Sequence, residues 1–331
     1  MITTRIISTG ACVPEQVITN DDLSKIVDTS DEWIAQRTGI KRRHISAGEN
    51  TSYFAINIAR QVLERAEVSA EDVDLIIVAS VTADYGTPSL ACMVQKEIGA
   101  VNAVAFDVNA ACSGFMFALS IADKYIKTGM YENAIVIGAE TLSKIVDWKD
   151  RSTCVLFGDG SGGAYVEKSE DEGILKEELG AKGELWDILT QGYVGCSNAF
   201  NEEPLEKDNL WYVNMDGRAV FKFATKAVTK SIERVMESAG VKPEEIKYVV
   251  PHQANVRIIE AVAHRMEVPM DKVLVNIEHY GNTSAATLPL CIWDFEDKLK
   301  KGDNIIFTAF GAGFTWGAVY VKWGYDGKKE S

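Results

Sequence analysis

The sequence predicts a duplicated α/β fold with mostly parallel, buried sheets, on the evidence of two repeated segments. Residues 63–80 and 236–253 share a helix end, a short turn with an acidic pair and an apolar strand. Residues 133–140 and 304–311 resemble each other at almost the same separation along the chain. Because two separate matches keep nearly one register, we infer an internal repeat of an α/β unit.

The repeat divides the chain into an N-terminal half, residues 1–170, and a C-terminal half, residues 171–331. At the junction, residues 168–215 are rich in charge and glycine and begin without a clean helix or strand period. This pattern indicates a connection or an insertion. Elsewhere apolar residues recur at i, i+3 and i+4, as on one face of a helix. This spacing predicts helices at residues 53–66, 113–127 and 219–238.

Composition and charge limit the class of protein. The chain has 331 residues, of which 47% are hydrophobic and 25% charged, the proportions of a globular protein with a sizeable core. The net charge of −14 argues against general binding to nucleic acid or anionic membranes, because both are polyanions. The N-terminus lacks the apolar core of a signal peptide, and no apolar run approaches the roughly 18 residues of a membrane span. We therefore expect a cytoplasmic protein.

Six cysteines are scattered singly along the chain, without CxxC pairs. They are Cys12, Cys92, Cys112, Cys154, Cys196 and Cys291. This spacing favours reduced thiols over a disulfide framework or a zinc site. Most of the six are expected to be small core residues.

Cys112 differs from the others because a strand-like stretch meets a helical pattern there, in AFDVNAACSGF at residues 105–115. A thiol at the first turn of a helix lies beside unpaired N–H groups and the positive end of the helix dipole, which stabilise its thiolate. Ala110, Ala111 and Gly114 leave room for a bulky acyl group. We therefore predict that Cys112 is a nucleophile, with an inert buried cysteine as the alternative.

Two further polar residues fall at strand ends when the repeats are superimposed. The overlay puts Cys112 opposite Asn282 and puts Ala79 opposite His252. Ligands of open α/β sheets bind beyond the carboxyl ends of the strands. We therefore expect Cys112, His252 and Asn282 to converge on one cleft. A core histidine and a plain capping turn are the alternatives for the last two.

Two glycine-rich stretches are candidates for ligand contact. GDGSGG at residues 158–163 formally matches GxGxxG, but a strand pattern follows it, so no helix N-terminus is available for a pyrophosphate. A dinucleotide site is therefore disfavoured. FGAGFTWGAVYV at residues 310–321 also runs from glycine into a strand, and we interpret it as a close backbone approach to a ligand.

Several of these motifs together resemble β-ketoacyl-acyl carrier protein synthase III, the thiolase-fold enzyme that starts type II fatty-acid synthesis. They are Cys112 in AACSGF, His252 in VPHQAN, Asn282 in YGNTSAA, the loop FGAGFTWG, and DTSDEWIAQRTGIKRRHI at residues 28–45. The match runs from GACVPE to GFTWGAVYVKW. The resemblance implies a duplicated α/β unit in five layers, αβαβα, and a homodimer.

The resemblance also implies a reaction. An acyl-CoA primer, usually acetyl-CoA, undergoes a decarboxylating Claisen condensation with malonyl-acyl carrier protein, and no metal or redox cofactor is implied. Cys112 attacks the primer thioester and holds the acyl group, with an oxyanion hole at the N–H groups of Cys112 and Gly313. His252 and Asn282 then act as neutral donors that stabilise the enolate formed when the malonyl group loses CO2.

The family pattern assigns further residues to binding. Its CoA site falls on Trp33, Arg37, Thr38, Arg151, Phe221 and Asn255. Tryptophan and arginine can hold adenine between them, and arginine suits phosphate. An acidic carrier protein needs a local basic face on this acidic chain, and the residues expected there are Lys222, Arg257, His264 and Arg265.

Thr87 departs from the family pattern. Many members have a phenylalanine at this position, which reaches from the dimer partner and closes the far end of the acyl pocket. Threonine is shorter, so we expect a deeper pocket and primers longer than acetyl.

Other interpretations of the same residues remain open. A cysteine hydrolase also uses Cys, His and Asn, and hydrolysis without condensation would favour it. A degradative thiolase is expected to carry a second catalytic cysteine in a C-terminal CxG, which FGAGFTWG lacks. A hydroxymethylglutaryl-CoA synthase needs a glutamate acid/base, and residues 75–90 contain no glutamate. A non-catalytic acyl-binding protein would release no CoA from acetyl-CoA.

Overall fold

Strands and helices alternate along most of the chain, of which the computed structural model describes residues 2–194 and 211–327. The strands are β1 Thr3–Cys12, β2 Val17–Thr19, β3 Arg42–His44, β4 Leu75–Ala79, β5 Val104–Val108, β6 Asn133–Glu140, β7 Gly160–Ser169, β8 Gly173–Ala181, β9 Leu189–Thr190, β10 Asn214–Met215, β11 Tyr248–Pro251, β12 Asn304–Gly311 and β13 Thr315–Lys322. The helices are α1 Asn20–Leu23, α2 Asp31–Thr38, α3 Thr51–Ala66, α4 Leu90–Ile98, α5 Gly114–Lys127, α6 Arg151–Cys154, α7 Gly217–Ala239, α8 Val256–Arg265, α9 Ile277–Tyr280 and α10 Thr287–Phe295.

The two large sheets share one strand order. The first runs β1-β7-β6-β4-β5 and the second runs β8-β13-β12-β11. Each begins with the first strand of its half and ends with parallel neighbours. A parallel bridge between Val249 and Val273 extends the second sheet where β5 extends the first. This common order supports the predicted repeat, and the boundary at residue 170 stays a prediction.

Both sheets are mixed, so the expectation of mostly parallel sheets is wrong. β7 and β13 run antiparallel to both of their neighbours. β12 and β13 are joined by residues 312–314 alone, and so short a connection permits only antiparallel pairing. Continuous apolar stretches such as β6 indicate burial on both faces but not strand direction.

Packing of helices on the sheets produces five layers. α3 and α4 cover the outer face of the first sheet, with Val62 and Val78 in one apolar cluster. α5 and α10 lie between the two sheets, where Leu119 is fully buried. α7 and α8 cover the outer face of the second sheet, with Val228 and Ile306 in one apolar cluster. The αβαβα arrangement implied by the family resemblance is confirmed.

The predicted connection at residues 168–215 contains a strand that the sequence analysis missed. β8 is the edge strand of the second sheet, and its charged side chains pair with flanking helices. Glu177 bonds Lys124 of α5 at 2.8 Å, and Glu178 bonds Arg234 of α7 at 3.0 Å. Because these charges are paired, the strand forms without the apolar alternation by which strands are recognised.

No helix within the two described ranges is long and apolar enough to cross a membrane. The described cysteines are all free thiols, as predicted; they are Cys12, Cys92, Cys112, Cys154 and Cys291. Cys196 lies outside the described residues.

Candidate active site

The loop after β5 holds Cys112 at the start of a helix. Oδ1 of Asn109 accepts the N–H of Ala111 at 3.2 Å, and Ala111 has a φ of 47°. A short 3-10 turn follows, and α5 begins at Gly114. A Cβ on Gly114 would lie 2.9 Å from the Cβ of Ala79 in β4, so glycine allows α5 to approach the sheet. The predicted helix-start position of Cys112 is confirmed.

The C-terminal half contains the same turn, and there it places Asn282. Oδ1 of Asn282 accepts the N–H of Ser284 at 2.8 Å, and Ser284 has a φ of 51°. The counterpart of Asn282 is therefore Asn109, and the counterpart of Cys112 is Ala285. The overlay that paired Cys112 with Asn282 is wrong in register, because the asparagine-bonded turn defines the equivalent positions.

The turn also orients the amide of Asn282. Its oxygen is bonded to the Ser284 N–H, so the NH2 group is the free end. Among the described residues this NH2 group has no hydrogen-bond acceptor, and Asn282 lines a cavity. The amide is therefore held as a hydrogen-bond donor toward that cavity.

His252 follows the last residue of β11 and is 3% exposed. Its backbone N–H donates to the carbonyl of Thr308 at 2.7 Å, and its ring packs edge-on against Phe310 with centroids 5.3 Å apart. Nδ1 lies 2.6 Å from Oγ1 of Thr287. Burial lowers the pKa of His252 to about 3, so the imidazole is neutral at physiological pH.

Cys112, His252 and Asn282 line one cavity of about 250 Å³, together with Phe310 and Gly311. The structure therefore brings the three predicted residues together from three different loops. A Cβ on Gly311 would lie 2.7 Å from the backbone nitrogen of Cys112, so glycine lets β12 approach the Cys112 turn; the close approach of this stretch to a ligand stays a prediction. The catalytic roles of the three side chains stay predictions.

The thiol of Cys112 differs from the sequence-based expectation. Burial, with a smaller contribution from the charge of Glu140, raises the pKa of the thiol from an ordinary 9.0 to about 12. Three pKa units correspond to about 4 kcal/mol, whereas a helix end contributes about 0.3–1 kcal/mol. Burial therefore prevails over the helix start, and Cys112 is a neutral thiol in the free protein.

The predicted CoA residues surround the mouth of the same cavity. Its lining includes Trp33, Arg37, Thr38, Phe221 and Asn255. Arg37 and Arg151 both stack on the indole of Trp33, at 4.5 and 4.8 Å from the ring centroid. Trp33 is half-buried, so it packs against the core and still offers part of its ring to a ligand.

A second cavity, of about 410 Å³, lies on the other side of Cys112. Its apolar lining was not identified from the sequence and includes Val81, Leu142, Ile145, Phe157, Trp186, Leu189 and Val213. Gly313 also lines it, with a φ of 134°. The N–H of Cys112 has no acceptor outside its own residue in the described structure, as the predicted oxyanion hole requires. Thr87 is exposed and does not line this cavity within one chain.

The residues predicted to dock the carrier protein are all exposed on two neighbouring helices. Lys222 lies on α7, and Arg257, His264 and Arg265 lie on α8. Arg257 also donates from Nε and one terminal nitrogen to the carbonyl of Gln36, at 3.1 and 2.8 Å. It therefore links α8 to α2, the helix that carries Trp33 and Arg37.

Sequence reasoning also missed a buried carboxyl group beside the thiol. Glu140 lies at the end of β6. Its carboxylate accepts hydrogen bonds from the hydroxyl of Thr82 at 2.5 Å and from the backbone N–H of Val81 at 3.1 Å. Burial raises the pKa of Glu140 to about 7. The available signal was a single acidic residue ending the apolar run NAIVIGAE.

Comparison with known proteins places this arrangement in a family. Residues 106–183 match the family described as 3-oxoacyl-[acyl-carrier-protein (ACP)] synthase III, and residues 236–323 match its C-terminal part. The chain is 51% identical over 332 residues to β-ketoacyl-[acyl-carrier-protein] synthase III 2 of Bacteroides thetaiotaomicron, covering 98% of both proteins. It is 49% identical to the Clostridium acetobutylicum synthase III over 325 residues, covering 98% of this chain and 99% of that one.

Solved structures agree with these matches. The 3-oxoacyl-[acyl-carrier-protein] synthase III of Aquifex aeolicus superimposes with a TM-score of 0.90 at 49% identity, covering 97% of this chain and all of that one. The Pseudomonas aeruginosa synthase III gives a TM-score of 0.90 at 36% identity, covering 98% and 99%. The chain therefore belongs to the β-ketoacyl-[acyl-carrier-protein] synthase III family of condensing acyltransferases that initiate fatty-acid synthesis, as its motifs implied.

Proposed function

We propose that this chain transfers an acyl primer from acyl-CoA to Cys112 and condenses it with malonyl-acyl carrier protein. The products are a 3-oxoacyl-acyl carrier protein, CO2 and CoA. The observation that carries the proposal is that Cys112, His252 and Asn282 line one cavity whose mouth carries Trp33 and its two stacked arginines.

Acyl transfer requires Cys112 to lie between two binding spaces, and two cavities meet at this residue. The first leads to Trp33, where an arginine-flanked indole suits an adenine and its phosphates. The second is apolar around Val81 and Leu142 and accommodates the acyl group. Because the resting thiol is neutral, it loses its proton as it attacks the thioester carbon, and CoA leaves as a thiol.

Decarboxylation requires donors that stabilise negative charge on the thioester oxygen of the malonyl group. The neutral imidazole of His252 and the NH2 group of Asn282 are both available in the cavity. Neither needs to accept a proton, because loss of CO2 leaves the enolate that attacks the acyl-Cys112 carbonyl. The bond between the acyl carbon and the Cys112 sulfur then breaks, and the thiolate takes a proton from solvent to restore the thiol. Each donor in such a site commonly contributes about 3–4 kcal/mol.

Docking of malonyl-acyl carrier protein is assigned to the basic residues around the mouth of the first cavity. α7 and α8 both contribute to that mouth, through Phe221 and Asn255. Beside Lys222, α7 carries exposed Arg218 and Lys226, one helical turn away on either side. This stripe and the cations of α8 attract an acidic partner despite the chain's net charge of −14.

The proposed assembly is a homodimer, and the edge of the first sheet supports it. In the described structure, β5 has no strand partner on its outer side. Val101 and Val104 are 73% and 46% exposed near this edge. An unpaired edge with exposed apolar residues is a site for pairing with a second chain. The cytoplasmic location and the absence of nucleic-acid binding remain predictions.

The nucleophile is tested by intact-mass measurement after incubation with a panel of acyl-CoAs. We expect Cys112→Ala to abolish the acyl-protein adduct, because Cys112 alone among the described thiols lies between the two cavities. Cys92→Ala is the control, since Cys92 is an exposed thiol in the first turn of α4 and should be dispensable. Undiminished labelling of Cys112→Ala would show that Cys112 is not the nucleophile. Acylation of the wild-type protein with release of CoA would exclude a non-catalytic acyl-binding protein.

The roles of the two donors are tested separately. We expect His252→Ala and Asn282→Ala to keep acylation by acyl-CoA but to slow malonyl decarboxylation by roughly two orders of magnitude or more each. Release of 14CO2 from malonyl-labelled carrier protein measures the second step. If the two variants lost acylation and kept decarboxylation, the assignment of His252 and Asn282 to decarboxylation would be wrong. Release of free acid by the wild-type protein without condensation would favour the cysteine hydrolase.

A further inference from the structure

The imidazole of His252 can donate toward the cavity only if its proton is on the correct nitrogen. The neutral ring carries one proton, on Nδ1 or on Nε2. Nδ1 faces Oγ1 of Thr287 at 2.6 Å. Nε2 has no hydrogen-bond partner among the described residues, and His252 lines the cavity. An enolate oxygen in the cavity is therefore stabilised by an Nε2–H and repelled by a bare Nε2.

The hydroxyl of Thr287 has one proton and two nearby acceptors. Oγ1 lies 2.6 Å from Nδ1 of His252 and 3.0 Å from the carbonyl of Ser284. If the proton goes to the Ser284 carbonyl, Oγ1 must accept from Nδ1–H, and Nε2 is left bare. If the proton goes to Nδ1, the ring proton is on Nε2.

Two observations favour donation to Nδ1. The carbonyl of Ser284 already accepts the backbone N–H of Thr287, so it does not depend on the hydroxyl. The contact of Oγ1 with Nδ1, at 2.6 Å, is also shorter than its contact with the carbonyl, at 3.0 Å. Thr287 is 2% exposed, so water does not replace either partner.

We propose that Thr287 is a positioning residue that donates its hydroxyl proton to Nδ1 and thereby keeps the proton of His252 on Nε2. The inference rests on the proposed role of His252 as an enolate donor. It gives the two donors parallel explanations, since Ser284 orients the amide of Asn282 and Thr287 sets the tautomer of His252.

The tautomer is measured directly by solid-state NMR of protein labelled with 13C,15N-histidine. The chain has four histidines, and the signals lost in His252→Ala identify the relevant ring. We expect the wild-type protein to carry the proton on Nε2, with a hydrogen-bonded, unprotonated Nδ1. A proton on Nδ1 in the wild-type protein would overturn the proposal, and this measurement needs no variant of Thr287.

Thr287→Val removes the hydroxyl with little change in volume and tests the consequence. We expect malonyl decarboxylation to fall at least tenfold, while acylation of Cys112 stays within twofold and the Nδ1 signal loses its hydrogen bond. Thr287→Ser, which keeps a hydroxyl, should restore both the decarboxylation rate and the hydrogen-bonded Nδ1 signal. In a His252→Ala background, Thr287→Val should cause no further loss, because the residue acts through the imidazole.

Thr229→Val is the matched control, since the Thr229 hydroxyl is also buried and donates to a carbonyl within α7. Unchanged decarboxylation in folded Thr287→Val, or a tenfold loss in Thr287→Ser, would overturn the proposal. If Thr287→Val does not fold, the proposal is tested by the tautomer measured in the wild-type protein and by the decarboxylation rate of Thr287→Ser. A wild-type protein that neither acylates nor decarboxylates contradicts the proposed function instead and leaves the measured tautomer unaffected.

Discussion

At the scale of single residues, Glu140 is the least expected feature of the site. Cys112, His252 and Asn282 could be predicted because each lies in a recognisable local motif. Glu140 and Thr287 could not, because their importance comes from partners 58 and 35 residues away in the sequence. The low pKa expected for the thiol was also wrong, because a sequence motif shows a helix start but not the depth of burial.

Glu140 makes folding stability depend on pH. Its pKa is raised by burial from 4.5 to about 7, so the folded protein binds its proton more tightly than the unfolded chain does. The associated stability is present below about pH 4.5 and is lost as pH rises to about 7. Two and a half pKa units correspond to about 3 kcal/mol.

We therefore expect Glu140→Gln to match wild type in stability near pH 4.5 and to exceed it by up to about 3 kcal/mol at pH 8. Urea unfolding at the two pH values measures the difference. Glu132→Gln is the control, because Glu132 is a surface carboxylate paired with Lys168. Parallel pH profiles for wild type and Glu140→Gln would contradict this account.

At the scale of secondary-structure elements, the amphipathic helices were predictable and β8 was not. The predicted helix at residues 219–238 corresponds to α7, which begins after the capping residue Asp216 and ends before Gly240. Helical periodicity is a local property of the sequence, so it can be recognised without knowledge of the fold. The pairing of β8 charges with α5 and α7 depends on elements distant in the chain.

The contact between α8 and α2 refines the docking prediction. Arg257 is predicted from the sequence only as a carrier-protein residue, and its hydrogen bonds to the Gln36 carbonyl give it a second role beside Trp33 and Arg37. We expect Lys222→Glu to raise KM for malonyl-acyl carrier protein about tenfold with acyl-CoA kinetics unchanged. Arg257→Glu should raise KM for both substrates, because it also releases α2.

Steady-state kinetics with each substrate varied separately measures these effects. Lys300→Glu is the control for the change in net charge, since Lys300 is exposed after α10, away from the mouth of the cavity. Equal changes for Lys222→Glu and Lys300→Glu in carrier-protein KM would show that overall charge, rather than a local surface, governs docking.

At the scale of the whole molecule, the internal repeat predicted the shared sheet order, whereas Thr87, predicted for the acyl pocket, does not line the second cavity of one chain. Thr87 lies on the loop before α4. Helix α4 packs against β5, the strand with no partner on its outer side. In the proposed dimer, pairing of two chains along β5 would bring this loop toward the partner chain. Only the family resemblance indicated this contact, because local sequence patterns do not show how a second copy packs.

We expect the wild-type protein to accept butyryl-CoA and octanoyl-CoA as well as acetyl-CoA, and Thr87→Phe to narrow it toward acetyl-CoA. Each buried methylene of the primer adds about 0.8 kcal/mol of binding, which the phenylalanine would displace. The measurement is kcat/KM for the three primers in both proteins. Thr128→Phe, at another exposed threonine, is the control. Strict acetyl-CoA specificity unaffected by Thr87→Phe would show that other residues close the pocket.

The turns at Asn109 and Asn282 show how one local structure places different groups in the two halves of the chain. One copy has a cysteine at the helix start, whereas the other has Ala285 there, buried between the sheets, and exposes its asparagine amide to the cavity instead. Differences at a few positions thus allow one turn to supply the proposed nucleophile and the other a proposed hydrogen-bond donor.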